Sequence, residues 1–352
     1  MTLCRWIPIV ATAFAMGQEA QPFAPEPASP WQPAWAVRAR YDQLTEPAYP
    51  AFGFHRTGLE LKLRWEGEWG PVRGEVGTRS ALGSDANRLN GPRWDQAPSN
   101  GTQLDVASVA WSGAWAWGFG AVRAGLQENP LLAPQAMWSR ELRATGLSGS
   151  VGLRSAGGLV QEAGLRAVAG RVRTLLGGDM DLRAAQGVLK LDTGAWSWTA
   201  YAGQWRLDWD GGGHRNLALP GQAPAARQHL VVANIGTGAL WNGPLPLEAR
   251  WSGCRNAERH ETSEELQFTA GSRERVWWPQ VSWTWQRLSS TGTLYPVNGD
   301  EWWFYRAARG ARLEAALALP GRWVAAVSYL RQREDGESYQ VRRTMVTLNK
   351  RF

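Results

Sequence analysis

The chain has 352 residues, with 40 Gly, 23 Trp and a formal net charge of +7 at pH 7. The Trp residues outnumber the 8 Phe and 7 Tyr together, which is typical of a turn-rich β protein rather than of a helical one. The length allows one large β domain or two ordinary ones. Basic residues alternate with acidic ones instead of forming a patch, so nucleic acid is not an expected partner.

Residues 1–17 are predicted to be a secretory signal peptide. A short positive segment ends at Arg5, an apolar segment runs from Trp6 to Ala15, and small residues suited to cleavage lie at its end. A buried N-terminal strand or helix is the alternative interpretation. Residues 18–33 contain five prolines and are expected to form an extended periplasmic lead-in.

The cysteines indicate neither a disulfide nor a metal cluster. Cys4 lies in the predicted signal peptide, which leaves Cys254 as the single cysteine of the mature chain. No metal or other cofactor is therefore expected.

Residues 34–352 are predicted to form one all-β domain, an antiparallel up-and-down transmembrane barrel. The clearest strand is Leu59–Glu66, because four apolar side chains alternate with four charged ones and so point to opposite faces. Boundary errors allow about 14 to 18 strands. The sixteen predicted segments are 34–42, 57–66, 71–80, 103–112, 115–127, 145–154, 159–170, 183–192, 196–208, 227–238, 245–254, 264–272, 276–287, 303–319, 323–333 and 338–352.

The gaps between these segments mostly alternate between short and long. Short gaps such as 155–158 carry hairpin turn residues, whereas 81–102, 128–144, 209–226 and 288–302 are long. The gap 334–337 breaks the alternation, because it is a tight turn where a long loop is expected. This layout favours a bacterial outer-membrane barrel with short periplasmic turns and long extracellular loops.

Tryptophans recur near the predicted strand ends, as at Trp65 and Trp69 or Trp196 and Trp198. In a bilayer the indole ring prefers the level of the headgroups, so the pattern predicts an aromatic girdle. A soluble Trp-lined core or a surface that stacks on carbohydrate is the alternative.

The last strand resembles the C-terminal strand of bacterial outer-membrane porins. It places Val346 and Leu348 on one face and ends on the aromatic residue Phe352, whereas Lys350 departs from the apolar residue usual in the family. The resemblance implies that the barrel-assembly machinery reads Phe352, that the barrel sits among outer-membrane lipid, and that it forms a homotrimer.

In sixteen-stranded porins the third long connection folds into the barrel and narrows it. In this chain the corresponding connection is 127–141. The resemblance implies that Glu128 and Glu141 would then face basic wall residues across a constriction. An ordinary outward loop explains the sequence equally well.

About sixteen strands enclose an aqueous channel, which favours passive diffusion of small hydrophilic solutes over simple anchoring. Basic residues lead among the predicted water-facing positions, so a mild anion preference is one hypothesis. The equal alternative is that these charged residues pair across strands and only keep the lumen hydrated, without selecting ions. The pore-lining candidates are Arg38, Arg40, Glu60, Lys62, Arg64, Arg73, Glu75, Arg79, Arg154, Arg166, Arg250 and Arg312.

Other functions are less favoured by the sequence. The four His residues lack metal-ligand spacing, and Asp210–His214 lacks the Lys and Ser/Thr of a phosphate loop, so an enzyme is not expected. A secreted Trp-rich protein that binds glycans and a barrel used for export or adhesion are the two alternatives. The first would be soluble without detergent, and the second would conduct little.

Overall fold

The computed structural model describes residues 32–45, 54–83, 101–139, 142–154, 158–173, 179–210, 227–295, 302, 306–336 and 340–350. The predicted signal peptide, Glu141 and Phe352 lie outside these ranges. No helix within them is long and apolar enough to cross a membrane.

Sixteen antiparallel strands form one closed barrel, in which each strand pairs with its neighbours in sequence and β1 pairs with β16. The predicted fold class and strand number are thus confirmed. The strands are β1 Gln32–Thr45, β2 Phe54–Trp69, β3 Val72–Gly83, β4 Gly101–Trp115, β5 Gly118–Gln127, β6 Ala144–Leu153, β7 Val160–Arg173, β8 Asp179–Asp192, β9 Trp196–Asp210, β10 Arg227–Trp241, β11 Leu247–Asn256, β12 Thr262–Gly271, β13 Pro279–Leu288, β14 Ala308–Leu319, β15 Trp323–Glu334 and β16 Gln340–Lys350.

Most predicted boundaries differ from the observed ones by one to five residues, and two of these differences have a clear structural cause. The strand predicted from residue 303 begins only at Ala308, because Ala307 has a positive φ of 46° that interrupts extended backbone. At the other end of the chain, β1 begins at Gln32, inside the predicted lead-in, because residues from Gln32 onward pair with β2.

The two faces of the wall differ as the alternation predicts. Leu59, Leu313 and Leu348 are exposed on the outer face. The charged residues that alternate with such apolar residues along the strands point inward and are mostly buried or half-buried. Apolar side chains that face outward around a closed barrel indicate a surface in contact with lipid.

In the predicted segment 115–127, the aromatic residues Trp115, Trp117 and Phe119 alternate in step with Arg123, which would place them on the same face as the charge. The structure resolves this through a strand boundary. Trp115 ends β4 and Trp117 lies in the turn, where both rings are exposed, while Phe119 begins the inward set of β5 that also contains Arg123. No bulge is needed in this segment. A bulge occurs instead in β4, opposite Gly77, and there it directs two consecutive residues inward.

The tryptophans divide into two groups. Trp69, Trp111, Trp117, Trp196 and Trp277 are exposed near the short turns, so the predicted girdle lies at the short-turn end of the barrel. Another group, comprising Trp138, Trp205 and Trp209, is buried inside the barrel.

Lys350 is also accounted for at the short-turn end. Its ammonium nitrogen lies 3.8 Å from the centre of the Trp35 ring and 5.8 Å from that of Trp323. Both rings attract a cation through their faces, so a lysine is stabilised here on the outer wall.

The polarity of the two faces is reversed toward the long-connection end of β7–β10. There Met180, Leu182 and Leu207 point inward and are fully buried, while Arg183 and Arg206 point outward and are exposed. An apolar inner face and a charged outer face are typical of a wall that stands in water. These strands therefore extend beyond the apolar band, which is the part of the wall whose outward side chains are apolar.

A charge at the middle of the outer face is expected to destabilise the barrel. Leu313 is the sixth residue of the twelve-residue strand β14 and is 50% exposed. Leu313→Arg should lower the unfolding free energy in lipid vesicles by about 2–4 kcal/mol, because arginine is costly at the bilayer midplane. Urea titration followed by Trp fluorescence measures it, and Leu313→Ala is the uncharged control. An equal effect of both variants would contradict a lipid-facing Leu313.

Candidate functional site: the lumen and its inward loop

The connection between β5 and β6 is the third on the long-connection end, and it folds into the barrel. Leu131, Met137 and Leu142 are completely or almost completely buried. Because the segment leaves β5 and bonds to β8 and β12, it crosses the interior. We call residues 128–139 and 142–143 the inward loop.

Two polar side chains of the wall fix the backbone of the inward loop. The Gln186 amide on β8 accepts a hydrogen bond from the Leu132 N–H at 2.9 Å and donates one to the Leu132 carbonyl at 2.7 Å. On β12, the Glu265 carboxylate accepts from the Ala136 N–H at 3.1 Å and from the Gln286 amide at 2.5 Å. These bonds satisfy backbone groups that would otherwise be buried without partners.

The apolar side of the inward loop packs on the inverted part of β7–β10. The rings of Trp138 and Trp205 lie 6.1 Å apart, and the Trp205 indole donates to Asn234 at 2.9 Å. This packing fills the lumen on one side. The loop is therefore held by a hydrophobic cluster in addition to its polar anchors.

A second connection also enters the lumen. In the segment between β13 and β14, Leu294 and Tyr295 are fully buried, and the Tyr295 ring packs edge-on against Trp209 at 6.2 Å. Trp302 of the same connection donates to the Gln135 side chain of the inward loop at 3.2 Å. The two connections thus support one another inside the barrel.

An ion-pair network surrounds the start of the inward loop. Glu128 lies 2.9 Å from Arg64 of β2 and 3.3 Å from Arg143 at the end of the loop. Arg143 also pairs with Asp105, which the β4 bulge directs inward, at 3.2 Å. The network joins both ends of the loop to the wall.

Glu128 is expected to stay charged in acid. Burial alone would raise its pKa, but the charges of Arg143 and Arg64 and a hydrogen bond from Arg64 outweigh burial and lower the pKa from 4.5 to about 2. Since the folded pKa lies below the ordinary value, this anchor is complete above pH 4.5 and is lost as the pH falls through about 2. Single-channel conductance should therefore show no titration from Glu128 between pH 7 and pH 3.5. A Glu128-dependent transition near pH 4.5, absent from Glu128→Gln, would contradict the lowered pKa.

Most pore-lining candidates lie on the inner face, where nearly all have a partner of opposite charge. Arg38 pairs with Glu60 at 3.0 Å, and Arg166 with Glu162 at 2.6 Å. The further pairs are Lys62–Glu60, Arg64–Glu75, Arg73–Glu66, Arg79–Asp105, Arg40–Asp42, Arg250–Glu248 and Arg312–Glu314. Four of these nine pairs join neighbouring strands, and the other five lie within a single strand. Charge pairing along the inner face is thus extensive, but less than half of it is cross-strand.

Arg154 differs from the other candidates. It follows the last residue of β6, its side chain is exposed, and its backbone N–H bonds to the Trp117 carbonyl in the neighbouring turn at 3.1 Å. Arg154 therefore lies at the short-turn mouth of the barrel rather than on its wall. Glu141 lies outside the described residues.

An open recess lies beside the inward loop, between the loop and the wall formed by β9–β14. Its empty volume is about 610 Å³, a figure that includes space open to solvent. Leu132–Gln135 form the loop side, and the facing wall contributes Tyr201, Arg250, Ser252, Glu265, Gln267, Thr284 and Arg312. Guanidinium groups, the Glu265 carboxylate and neutral hydrogen-bonding groups thus face Leu132–Gln135 of the loop across an open space.

Sequence reasoning missed the residues that hold the loop, above all Gln186 and Glu265. It also missed the apolar inner cluster, although a signal is present. The even-numbered residues Met180, Leu182 and Val188 are apolar, and then Leu189 and Leu191 carry the apolar character on the odd positions of the same strand. Such a change of phase indicates a change of the buried face.

Comparison with known proteins gives structural similarity alone. No protein-family model and no curated protein matches the sequence. The structure of OprB from Pseudomonas putida matches with a TM-score of 0.63 at 8% identity, over 92% of this chain and 94% of that chain. The in-vitro folded trimer form of OmpT, an outer-membrane protein of Vibrio cholerae, matches with a TM-score of 0.51 at 7% identity, over 91% of this chain and all of that chain. The chain therefore has the fold of an outer-membrane porin barrel.

Proposed function

We propose that the chain forms a water-filled channel in a bacterial outer membrane, through which small hydrophilic solutes diffuse passively. One observation carries the proposal: a sixteen-stranded wall that is apolar outside and lined by ion pairs inside encloses a loop that leaves a recess open. A barrel that served only as an anchor would not need a hydrated, charged inner face, and sixteen strands are wide enough for water.

Conductance in a planar bilayer tests the channel. Protein extracted from membranes, with heat-modifiable migration as the sign of an intact barrel, should insert in discrete steps of uniform conductance. Folded protein that inserts without conducting would overturn the proposal and favour an export or adhesion role. Protein that is soluble without detergent would instead favour a secreted glycan-binding protein.

We also propose that the channel prefers anions only mildly. The net charge of +7 and the Arg250 and Arg312 side chains at the recess favour anions. The preference is weak because acidic residues accompany the basic ones along the inner wall, as Glu248 accompanies Arg250. Reversal potentials in a potassium chloride gradient should therefore have the anion-selective sign with a small amplitude, and clear cation selectivity would contradict this.

The homotrimer and the recognition of Phe352 by the assembly machinery remain predictions. Cross-linking of the membrane-embedded protein tests the trimer. Replacement of Phe352 by a polar residue tests assembly, since the amount of heat-modifiable barrel in the membrane should then fall.

A further inference from the structure

Five arginines lie on the outer face at the long-connection end of four consecutive strands. They are Arg287 on β13, Arg309 on β14, Arg331 and Arg333 on β15, and Arg342 on β16, and all five side chains are exposed. We call this set the arginine belt.

The strand register brings these arginines next to one another. Arg309 lies directly opposite Arg287 on one side and Arg333 on the other, and Arg331 lies directly opposite Arg342. Residues directly opposite in an antiparallel sheet are only about 4.5–5.5 Å apart, and like charges in that position repel. An anion bound across the belt would remove this repulsion.

Acidic partners are few at the belt. Arg309 has Asp335 at 3.5 Å, and Glu264 lies opposite Arg287 on the flanking strand β12. Among the described residues, Arg331 and Arg333 form no ion pair; Arg331 donates to the neutral Gln340 side chain at 3.3 Å. The belt thus carries an excess of positive charge.

The outer face of β7–β9 shows the opposite arrangement at the same end of the barrel. There Arg171 pairs with Asp179 and Asp181 at 3.5 and 3.4 Å, and Arg206 pairs with Asp208 at 2.8 Å. The excess of basic charge is therefore a property of the β13–β16 sector and not of the whole rim.

The belt lies next to the apolar band of the same strands. Tyr329, exposed on the outer face, is two residues from Arg331, and Leu313 is four residues from Arg309. With a rise of about 3.4 Å per residue, these separations along the strand are about 7 and 14 Å. The belt therefore lies at the edge of the exposed apolar surface, which is the level at which lipid headgroups are expected to meet a membrane barrel.

We propose that the arginine belt binds a phosphate-bearing lipid of the outer leaflet. Guanidinium groups hold phosphate through paired, charge-assisted hydrogen bonds, and the exposed apolar band below them would receive the acyl chains. The proposal depends on the outer-membrane location but not on conduction, so a failure of the channel proposal would leave it intact.

Binding of diphosphoryl lipid A to the detergent-solubilised barrel, measured by native mass spectrometry, tests the belt. The variant Arg287→Gln/Arg309→Gln/Arg333→Gln should bind on the order of a hundredfold more weakly, since each surface arginine contributes about 1 kcal/mol to binding at an anionic membrane. The matched control Arg171→Gln/Arg183→Gln/Arg206→Gln removes three outer arginines from β7–β9 and should change the affinity less than threefold.

A second measurement needs no variant. The unmodified protein should lose its affinity for lipid A from which both phosphates have been removed, and millimolar inorganic phosphate should not displace the diphosphoryl lipid. Equal binding of the phosphate-free lipid, or an unchanged affinity in the belt variant, would overturn the proposal. Displacement by inorganic phosphate would also overturn it, because the belt would then be a site for the free ion.

Discussion

Replacing residues 131–138 by Gly-Ser-Gly is expected to raise the single-channel conductance roughly twofold or more, because a sixteen-stranded barrel is otherwise wide enough for an open aqueous channel. The replaced segment contains the backbone groups of Leu132 and Ala136 that bond to Gln186 and Glu265 across the lumen. It also contains the Trp138 ring that packs on Trp205. Its removal therefore withdraws both the polar anchors and the apolar contact in one step.

The barrel itself should survive this replacement. Its closure depends on the backbone ladders of sixteen strands, which include the direct pairing of β5 with β6 next to the loop. Heat-modifiable migration checks this. The control replaces Glu258 by Gly and Arg259 by Ser, in the exposed turn between β11 and β12, and should leave the conductance unchanged. Unchanged conductance after the loop replacement would show that the inward loop does not limit ion flow.

Much of the fold follows from local patterns in the sequence. Alternation in segments such as Leu59–Glu66 decides which face is polar, and the chemistry of the turns decides where strands end, so sixteen strands and their order can be predicted. In an up-and-down barrel each strand pairs with its neighbours in sequence, so the topology is fixed once the strands are predicted. This is why the pairing of β1 with β16, the most distant contact in the chain, needs no separate information.

The constriction depends on contacts that alternation does not encode. In the sequence, Gln186 and Glu265 do not differ from the other polar residues of their strands. Only the folded barrel brings them to Leu132 and Ala136. The composition of the inward loop itself is more informative. A stretch with Leu131, Leu132 and Met137 is too apolar for a loop in water, so burial somewhere could be predicted, though not the wall on which it occurs.

The positions of the predicted pore-lining residues also follow only in part from the sequence. Parity along the strands assigns Arg38, Glu60 and Arg166 to the inner face, but their partners follow from register and side-chain length. Arg154 has the correct parity and yet lies at the mouth, because β6 ends one residue before it. Parity predicts a face, whereas the height along the barrel comes only from the strand ends.

Reversing the charges of the recess should have a large effect on selectivity. Arg250→Glu combined with Arg312→Glu makes the recess less positive by four unit charges, at two positions that face the inward loop. In water, one unit charge at about 5 Å contributes about 0.8 kcal/mol to the energy of an ion. The anion-to-cation permeability ratio is therefore expected to fall about tenfold or more, and the reversal potential in a salt gradient should change sign.

The controls separate a local field from a general effect of charge. Arg171→Glu with Arg183→Glu makes the same change of charge on the outer face, where the wall separates it from the lumen, and should leave the reversal potential unchanged. The new glutamates would lie near Glu248 and Glu314, so Arg250→Gln with Arg312→Gln provides a milder variant with a shift in the same direction and about half the size. If both recess variants kept the original selectivity, ions would pass elsewhere in the lumen, and the recess would have to be rejected as the path of permeation.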